Sequence, residues 1–565
     1  MNIANFRHQS DSRYCFSLDA SHVLLRLAIS KEVSPNFVSV IYGDPMTYSA
    51  KHQALAMHRA HEDQGFIYYD AVVEVDPVRL MYIFEIVIGG ASYYLSESGV
   101  SEAFPFHTSF INAFQFVGEN KNDFVLEPKS WKGKVVYQVF PERFASRKDP
   151  SSKEYVNESW DKVGVPSGAN VFMGGDLFGV IDKLDYLQEL GVGVLYLTPI
   201  HPSPSNHKYD VLDYFDVDER FGGKKAFKEL VKLAHKKKIK VMMDLVFNHT
   251  SDLHPLFQDV VVKGKESPYY DWYFIKDYFP EKKPLNYRCF GYFPGMPKLN
   301  TNNRDLQRYL ISVGLYWLKE FDVDGFRLDV SEGVSHDFWN RFKIALKDVK
   351  SDVLLIGENW FNAESYLGPN QFDGVMNYPF LDAVSAYCLK QDDAKTAALR
   401  LDGLLMRYKA GHNDMMLNIL SSHDVQRFRT LCKGDVDLSL LGYALLVFYP
   451  GHPMIYYGEE IFMEGGHDPD NRRGMAWNSP YWGSPEVETF KKLLHLRKEE
   501  AFINGETAIG SCNNMLYVRR FLAESSFTLY CNLSVEAKTI PENIIFGNKC
   551  HDNTLEPGGF AVCKD

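Results

Sequence analysis

Gly325-Phe326-Arg327-Leu328-Asp329-Val330 is the stretch on which the reading of this chain turns. Taken as a β-strand with side chains alternating at period two, it sends Arg327 and Asp329 to one face and Phe326, Leu328 and Val330 to the other. A guanidinium two residues before a carboxylate on one face predicts an ion pair at a strand end, in which the arginine holds the aspartate ionised at neutral pH. Such a pair standing alone reads first as a structural salt bridge, so the rest of the chain has to tip the balance towards chemistry.

Outward from this stretch, short apolar runs alternate with amphipathic segments. Runs at 135–140, 192–197, 240–247, 325–330, 353–357, 374–378, 415–420 and 453–457 make eight strands. Between them Leu177, Val180, Ile181, Leu184, Leu187 and Leu190, and then Phe227, Leu230, Val231 and Ala234, recur at helical spacing. Eight strands with intervening helices predict an α/β fold, a parallel (β/α)8 TIM barrel, over residues 133–500. Residues 249–300, aromatic and rich in proline, are too long for an ordinary loop after the third strand and read as an inserted lid domain. Residues 1–125 are short β-branched and aromatic runs separated by Gly, Pro, Asp and Asn, which predicts an N-terminal β-sandwich; 120–133 reads as a linker. The tail, 505–565, returns to short strands and predicts a C-terminal β-sandwich.

Composition narrows the classes. A chain of 565 residues is long enough for three or four domains. Its net charge of -12 argues against nucleic acid as a partner, and Lys236-Lys237-Lys238 is short enough to be a helix C-terminus. The aromatic share, with 33 Tyr and 40 Phe, suits stacking on sugar rings or large cores alike, so it does not choose. Eight cysteines (Cys15, Cys289, Cys388, Cys432, Cys512, Cys531, Cys550 and Cys563) lack metal-ligand spacing and read as free thiols in a reducing compartment, with a bridge among the last four left open. With no apolar leader at the N-terminus and no run of about 18 apolar residues, a cytoplasmic protein without membrane contact is expected.

In a barrel of this kind reactive groups stand at the C-terminal ends of the strands. The third strand ends in Asp244-Leu245-Val246-Phe247-Asn248-His249, the fourth in Arg327-Leu328-Asp329, the fifth in Gly357-Glu358-Asn359-Trp360 and the seventh in Ser421-Ser422-His423-Asp424. Asn206-His207-Lys208-Tyr209-Asp210 follows the second. Asp329, Glu358 and Asp424 are therefore expected at one mouth. Crowded carboxylates push at least one towards its protonated form, and a protonated acid beside an ionised carboxylate is what glycosidic cleavage uses. Metal binding is the rival chemistry for such a set. No His-x-x-x-His or Glu-x-x-His lies on one element and Arg327 would repel a cation, so no metal is assigned.

Residues 244–249, 325–329, Gly357-Glu358 and His423-Asp424 resemble, in order and spacing, four signature regions of the α-amylase family of glycoside hydrolases. The resemblance runs from about 135 to 477 and takes in Tyr137 to Phe144, Gly175-Asp176-Leu177 and Met454 to Glu460. Met296-Pro297-Lys298-Leu299-Asn300, and Tyr42-Gly43-Asp44-Pro45 in an extra N-terminal domain, are similar to the cyclomaltodextrinase, maltogenic amylase and neopullulanase group. The resemblance implies Asp329 as nucleophile, Glu358 as general acid and base, and Asp424 as the residue that binds sugar hydroxyls and helps distort the ring. It implies substrate contacts from His249 and His423, stacking by Tyr209, orientation of Asp329 by Arg327 and support from Asp244. Asp468 and Arg472 resemble residues that grip the donor chain, although an exposed ion pair reads as well. Trp360, Phe290 and Tyr292 are candidate stacking platforms or core of the inserted domain. The implied reaction is retaining hydrolysis of α-1,4-glucosidic bonds in cyclodextrins, maltooligosaccharides and pullulan, with some transfer to sugar acceptors. Rival readings are an α-1,6-glucosidase or transglycosylase on the same scaffold and a non-catalytic carbohydrate-binding relative. A homodimer through the N-terminal domain is implied by the group alone.

Three departures from the group stand out. Val330-Ser331-Glu332-Gly333 displaces an acidic residue by one position and leaves Gly333 in its place. Phe361 follows Trp360 where the group has His. Ser146-Arg147-Lys148-Asp149 replaces an Asn-rich calcium loop, and two added cations disfavour a dication there. No cofactor is required on this reading, with weak calcium left to Gly174 and Asp176.

Overall fold

In the computed structural model, residues 2–46, 52–76, 78–104, 112–120, 124, 128–160, 168–541 and 543–564 are described. The chain divides into two units, residues 1–127 with 395–413, and residues 128–394 with 414–565. In the first, two antiparallel sheets of five and six strands share one apolar core, built around Val23, Leu25 and Leu27 of one sheet and Val40, Tyr82 and Phe84 of the other. Their strands include His22–Ser30, Phe37–Gly43, Phe66–Glu74 and Arg79–Ile88, each built on a β-branched or aromatic run. Edge strands Gln53–Ala56 and His58–Glu62 carry no alternating pattern and escape a reading by periodicity. Residues 395–413, which the sequence reading leaves in the barrel, belong to this unit. Asp402 accepts from His61 Nδ1 and the Glu62 N–H, both at 2.7 Å.

The second unit contains a closed barrel of eight parallel strands. They are β1 (Val135–Val139), β2 (Val192–Leu197), β3 (Lys240–Val246), β4 (Gly325–Asp329), β5 (Leu354–Gly357), β6 (Gly374–Asn377), β7 (Leu417–Asn418) and β8 (His452–Tyr456), and β1 pairs with β8 to close the ring. Their side chains are buried almost without exception, because helices cover the outer face and other strands fill the inner one. The crossover helix Arg304–Phe321 shows how local chemistry sets these elements. Asn303 caps it by accepting from the Asp305 and Leu306 N–H groups, Leu306, Leu310, Val313 and Trp317 form the buried stripe, and Asp322 stops it in the left-handed conformation.

Of the predicted linker 120–133, residues 121–123 and 125–127 lie outside the described residues. Trp131, at its end, is no linker residue. It is fully buried at the base of the barrel and donates its indole N–H to the Asp352 carbonyl at 2.9 Å. Its ring fits because residue 325 is glycine: a Cβ there would stand 2.8 Å from the Leu354 carbonyl and 3.0 Å from the Trp131 ring. Among its described residues the inserted segment holds one α-helix, Pro255–Lys263, and internal bridges pair Tyr273 with Leu299 and Cys289 with Pro297. The C-terminal segment is a six-stranded antiparallel sheet in which Thr554–Lys564 pairs with three other strands. Among the described residues no helix is long and apolar enough to cross a membrane.

Candidate active site

Arg327 and Asp329 share one face at the end of β4, as period two requires, and that face looks into the barrel mouth. The fully buried guanidinium does more than pair with its neighbour. Nη1 donates to both oxygens of Asp244 at 3.0 Å and to Asp329 Oδ1 at 2.9 Å. Nη2 lies 2.8 Å from Glu358 Oε2 and 3.8 Å from Asp424 Oδ2. One cation therefore serves four carboxylates contributed by β3, β4 and the ends of β5 and β7. The expected ion pair is present, but the expected consequence is not. Burial and the neighbouring Glu358 charge push the Asp329 carboxyl well above the usual carboxylate range, because Arg327 is shared too widely to offset them. Burial likewise lifts Asp244 to about 6, against the pull of Arg327 and the Tyr196 and Tyr209 hydroxyls, and raises Asp424. The cluster retains a proton at a pH where isolated carboxylates would have none.

Glu358 is held at both oxygens. Oε2 accepts the Val330 N–H at 2.8 Å and Oε1 accepts the Trp360 indole N–H at 3.1 Å. Val330 reaches that position in the left-handed region, with φ 42° and ψ 47°. For a β-branched residue this costs on the order of 1–2 kcal/mol, and it falls directly after Asp329. The strain turns the chain so that the N–H of one strand end meets the carboxylate of the next. Asp329 Oδ2, by contrast, is buried and takes no hydrogen bond among the described residues.

A cavity of about 590 Å³ opens over these groups. Asp329, Glu358 and Asp424 line its floor, with Tyr209, His249, Asp468 and Arg472 around them. Phe290, Phe293 and Met296 of the inserted segment form a wall. Asp244, Arg327 and His423 stand behind the lining rather than in it. Trp360 is not among the lining residues either: it lies against Tyr378, ring centroids 3.8 Å apart, and its N–H is committed to Glu358. Tyr292 is 94% exposed, away from the cavity, whereas Phe290 stacks on His249 at 5.1 Å.

His423 is neutral, since burial and the Arg472 and Arg327 charges hold it well below its usual range. Its Nδ1 accepts from the Gln138 amide at 2.9 Å, which assigns the ring proton to Nε2, beside the Tyr209 hydroxyl and 3.1 Å from Asp424 Oδ2. Tyr209 in turn donates to Asp244 Oδ2 at 3.0 Å. His249 is lowered to about 3 by burial and the Lys298 charge, and its Nε2 is a buried polar atom without a partner among the described residues. Arg472 bridges Asp468 at 3.0 Å and Asp424 at 3.5 Å, so that ion pair belongs to the cavity and not to an outer loop surface. Gln138, Val330, Tyr196 and the cavity-lining His207 are the site residues the sequence reading did not select. Val330 and His207 stand within stretches quoted above without a role assigned to them, and Gln138 is a polar residue inside an otherwise apolar strand.

The departures have local causes. A side chain at 333 would bring its Cβ within 2.3 Å of Asn248 Oδ1, and Lys298 Nζ donates to the Gly333 carbonyl at 2.6 Å. Glu332 does not line the cavity. Gly174 and Asp176, the residues named for weak calcium, face an ammonium. The Lys153 ammonium donates to the Gly174 carbonyl and to Asp176 Oδ2, both at 2.6 Å, and so takes the oxygens a dication would use. Arg147, one of the two cations held responsible in the sequence reading, is turned outwards onto Asp182 at 2.6 Å.

Residues 138–517 match the family profile described as the α-amylase catalytic domain, and residues 1–117 match the one described as the α-amylase N-terminal ig-like domain. A cyclomaltodextrinase of Geobacillus thermopakistaniensis is 37% identical over 98% of this chain and 95% of its own length. An intracellular maltogenic amylase of Bacillus subtilis is 37% identical over 88% of this chain and 85% of its own. A solved structure titled cyclomaltodextrinase superposes with a TM-score of 0.90, covering 100% of this chain and 98% of that one at 29% identity. A barrel closed by β1 and β8, four carboxylates on one guanidinium and this breadth of likeness lead to one assignment: the chain belongs to the α-amylase family of glycoside hydrolases.

Proposed function

We propose that this enzyme hydrolyses α-1,4-glucosidic bonds of cyclodextrins and maltooligosaccharides, and of pullulan, with retention and with some transfer to sugar acceptors. The observation that carries the mechanism is that Asp329 and Glu358 sit on adjacent nitrogens of Arg327. Asp329 keeps Oδ2 free of partners among the described residues, at the cavity floor. A carboxylate oxygen with no hydrogen bond to break is a competent nucleophile for the anomeric carbon, and the second carboxyl beside it can protonate the departing oxygen. The proton held by the cluster has to be on Glu358 when the bond breaks. Positive charge developing on the sugar favours ionised Asp329 and so moves the proton that way. His249 Nε2 and the Asp424 carboxylate present hydrogen-bonding groups to sugar hydroxyls, and the Tyr209 ring supplies an apolar face. Asp244, Arg327 and His423 act from behind the lining, as positioning groups, and the same holds for Trp360 through Glu358. A neutral polysaccharide suits a cavity without a basic groove.

The test is a product assay with β-cyclodextrin, maltotriose, pullulan and isomaltose. Consumption of the first three, with maltose and panose released and isomaltose spared, is expected. Turnover of isomaltose alone would transfer the chain to the α-1,6-glucosidase reading. Turnover of none would favour a non-catalytic carbohydrate-binding role.

Two further readings belong to this proposal. A cytoplasmic location is supported by the name of the intracellular B. subtilis relative and by the free cysteines. A homodimer is supported by the group resemblance and by aromatic rings left exposed on the inserted segment, among them Tyr278, Phe279 and Phe293. Light scattering on the purified chain is expected to give twice the 64.8 kDa of one chain, and a monomer mass at working concentration would remove the dimer from the proposal.

A further inference from the structure

The loops after β1 contain a cation position that is already filled. Lys153 follows a 3-10 turn, Pro150–Ser152, whose first residue is set by the Asp149 side chain accepting the Ser151 N–H at 3.0 Å. From there the side chain runs inwards, and its own N–H donates back to the Pro150 carbonyl at 3.0 Å. Nζ donates to Ser146 Oγ at 2.9 Å and, at 2.6 Å, to both the Gly174 carbonyl and Asp176 Oδ2. An ammonium has three protons to donate, and all three are used. The other carboxylate oxygen, Asp176 Oδ1, accepts the Gly179 N–H at 2.7 Å and caps the helix Leu177–Asp182. Gly174 has φ +89°, and a Cβ there would stand 2.6 Å from Val156 Cγ2, so the carbonyl can be aimed at Nζ only because the residue is glycine.

Three oxygens from two separate segments, a hydroxyl, a carbonyl and a carboxylate, thus converge on one positive nitrogen. A calcium ion asks for six to eight oxygens at about 2.3–2.6 Å, and a second cation beside the ammonium would meet direct repulsion. The side chains of Lys153 and Asp176 are 13% and 8% exposed, so the pair is largely screened from salt. We propose that the Lys153 ammonium is the built-in cation of this loop cluster: it does by covalent attachment what a bound metal would do, so the fold needs no divalent ion there.

Thermal unfolding of the full-length protein tests it, with EDTA, with millimolar calcium chloride and with neither. For the unaltered protein the three curves are expected to coincide. A fall in Tm with EDTA that calcium reverses would overturn the proposal, whatever the variants do. Lys153→Met keeps the apolar stem and removes the charge, leaving Asp176 buried without its partner. Its apparent Tm is expected to fall by about 5 °C, the size associated with breaking a buried ion pair in a chain of this length. Lys153→Ala also empties the position, and calcium is expected to restore part of its loss while leaving Lys153→Met unchanged, because only the shorter side chain makes room for an ion. Unchanged melting of Lys153→Met would show that the ammonium holds nothing together, and equal rescue of both variants would place the ion elsewhere.

Discussion

Replacing Asp329 by asparagine is expected to lower kcat on maltotriose and on β-cyclodextrin by about 10⁴-fold, with little change in KM. Asparagine keeps the shape, and its amide oxygen can still accept from Arg327 Nη1, which lies 2.9 Å from Asp329 Oδ1. What is lost is the free anionic oxygen over the cavity floor. The same change should make the protein more stable. Burial and the Glu358 charge raise the Asp329 carboxyl well above its usual range, so between the ordinary carboxylate pKa and the raised one the folded chain binds more protons than the unfolded chain. Stability then falls as pH rises through that window, and the asparagine variant, with nothing to titrate there, escapes the fall. Melting curves at a series of pH values should show the two proteins alike in acid and the variant increasingly ahead towards neutrality. An active variant, or one less stable at every pH, would remove Asp329 from the centre of the mechanism. Loss of activity with gain of stability is the signature of a group kept in an unfavourable setting for its chemistry.

What could be read from the chain alone divides along physical lines. The eight barrel strands were legible because a parallel strand buried on both faces is an unbroken apolar run bounded by polar residues. The carboxylates were legible because they fall where such runs end: Asp329 after Leu328, Glu358 after Gly357. Their electrostatics were not. The pair Arg327 and Asp329 is visible at a spacing of two, but the competing claims of Asp244, Glu358 and Asp424 on the same guanidinium arise only when distant strands close into a ring. Trp131 and Trp360 were misread for a related reason. Trp131 reads as a linker residue and Trp360 as a stacking platform, and each is fixed by a partner more than twelve positions away: Asp352 and Tyr378. Residues 395–413 have helical patterning that fits a barrel crossover, and nothing in that pattern says which core the helix covers. Val330 has no local signal at all, because strain at a β-branched residue is imposed by its surroundings.

Glu358→Gln offers the sharpest separation of roles, because its effect should depend on the leaving group. On maltotriose, whose departing sugar oxygen needs a proton, kcat is expected to fall by about 10³-fold or more. On α-maltosyl fluoride, whose fluoride leaves unprotonated, the loss in kcat/KM, which reports only the step that forms the glycosyl-enzyme, should stay near tenfold, since Asp329 still attacks and Glu358 has no proton to give in that step. Glutamine preserves the acceptor for the Val330 N–H at Oε2, or for the Trp360 N–H at Oε1, and so leaves the left-handed turn after Asp329 in place. One of those contacts does change, because the amide nitrogen cannot accept. Any resulting displacement would be felt by both substrates alike and measured by the fluoride. The ratio of the two losses therefore isolates proton delivery from positioning. Equal losses would mean that Glu358 acts by holding Arg327 and Val330 in place, at 2.8 Å each, and that the acid must be sought in Asp424, the one remaining carboxylate on the cavity floor.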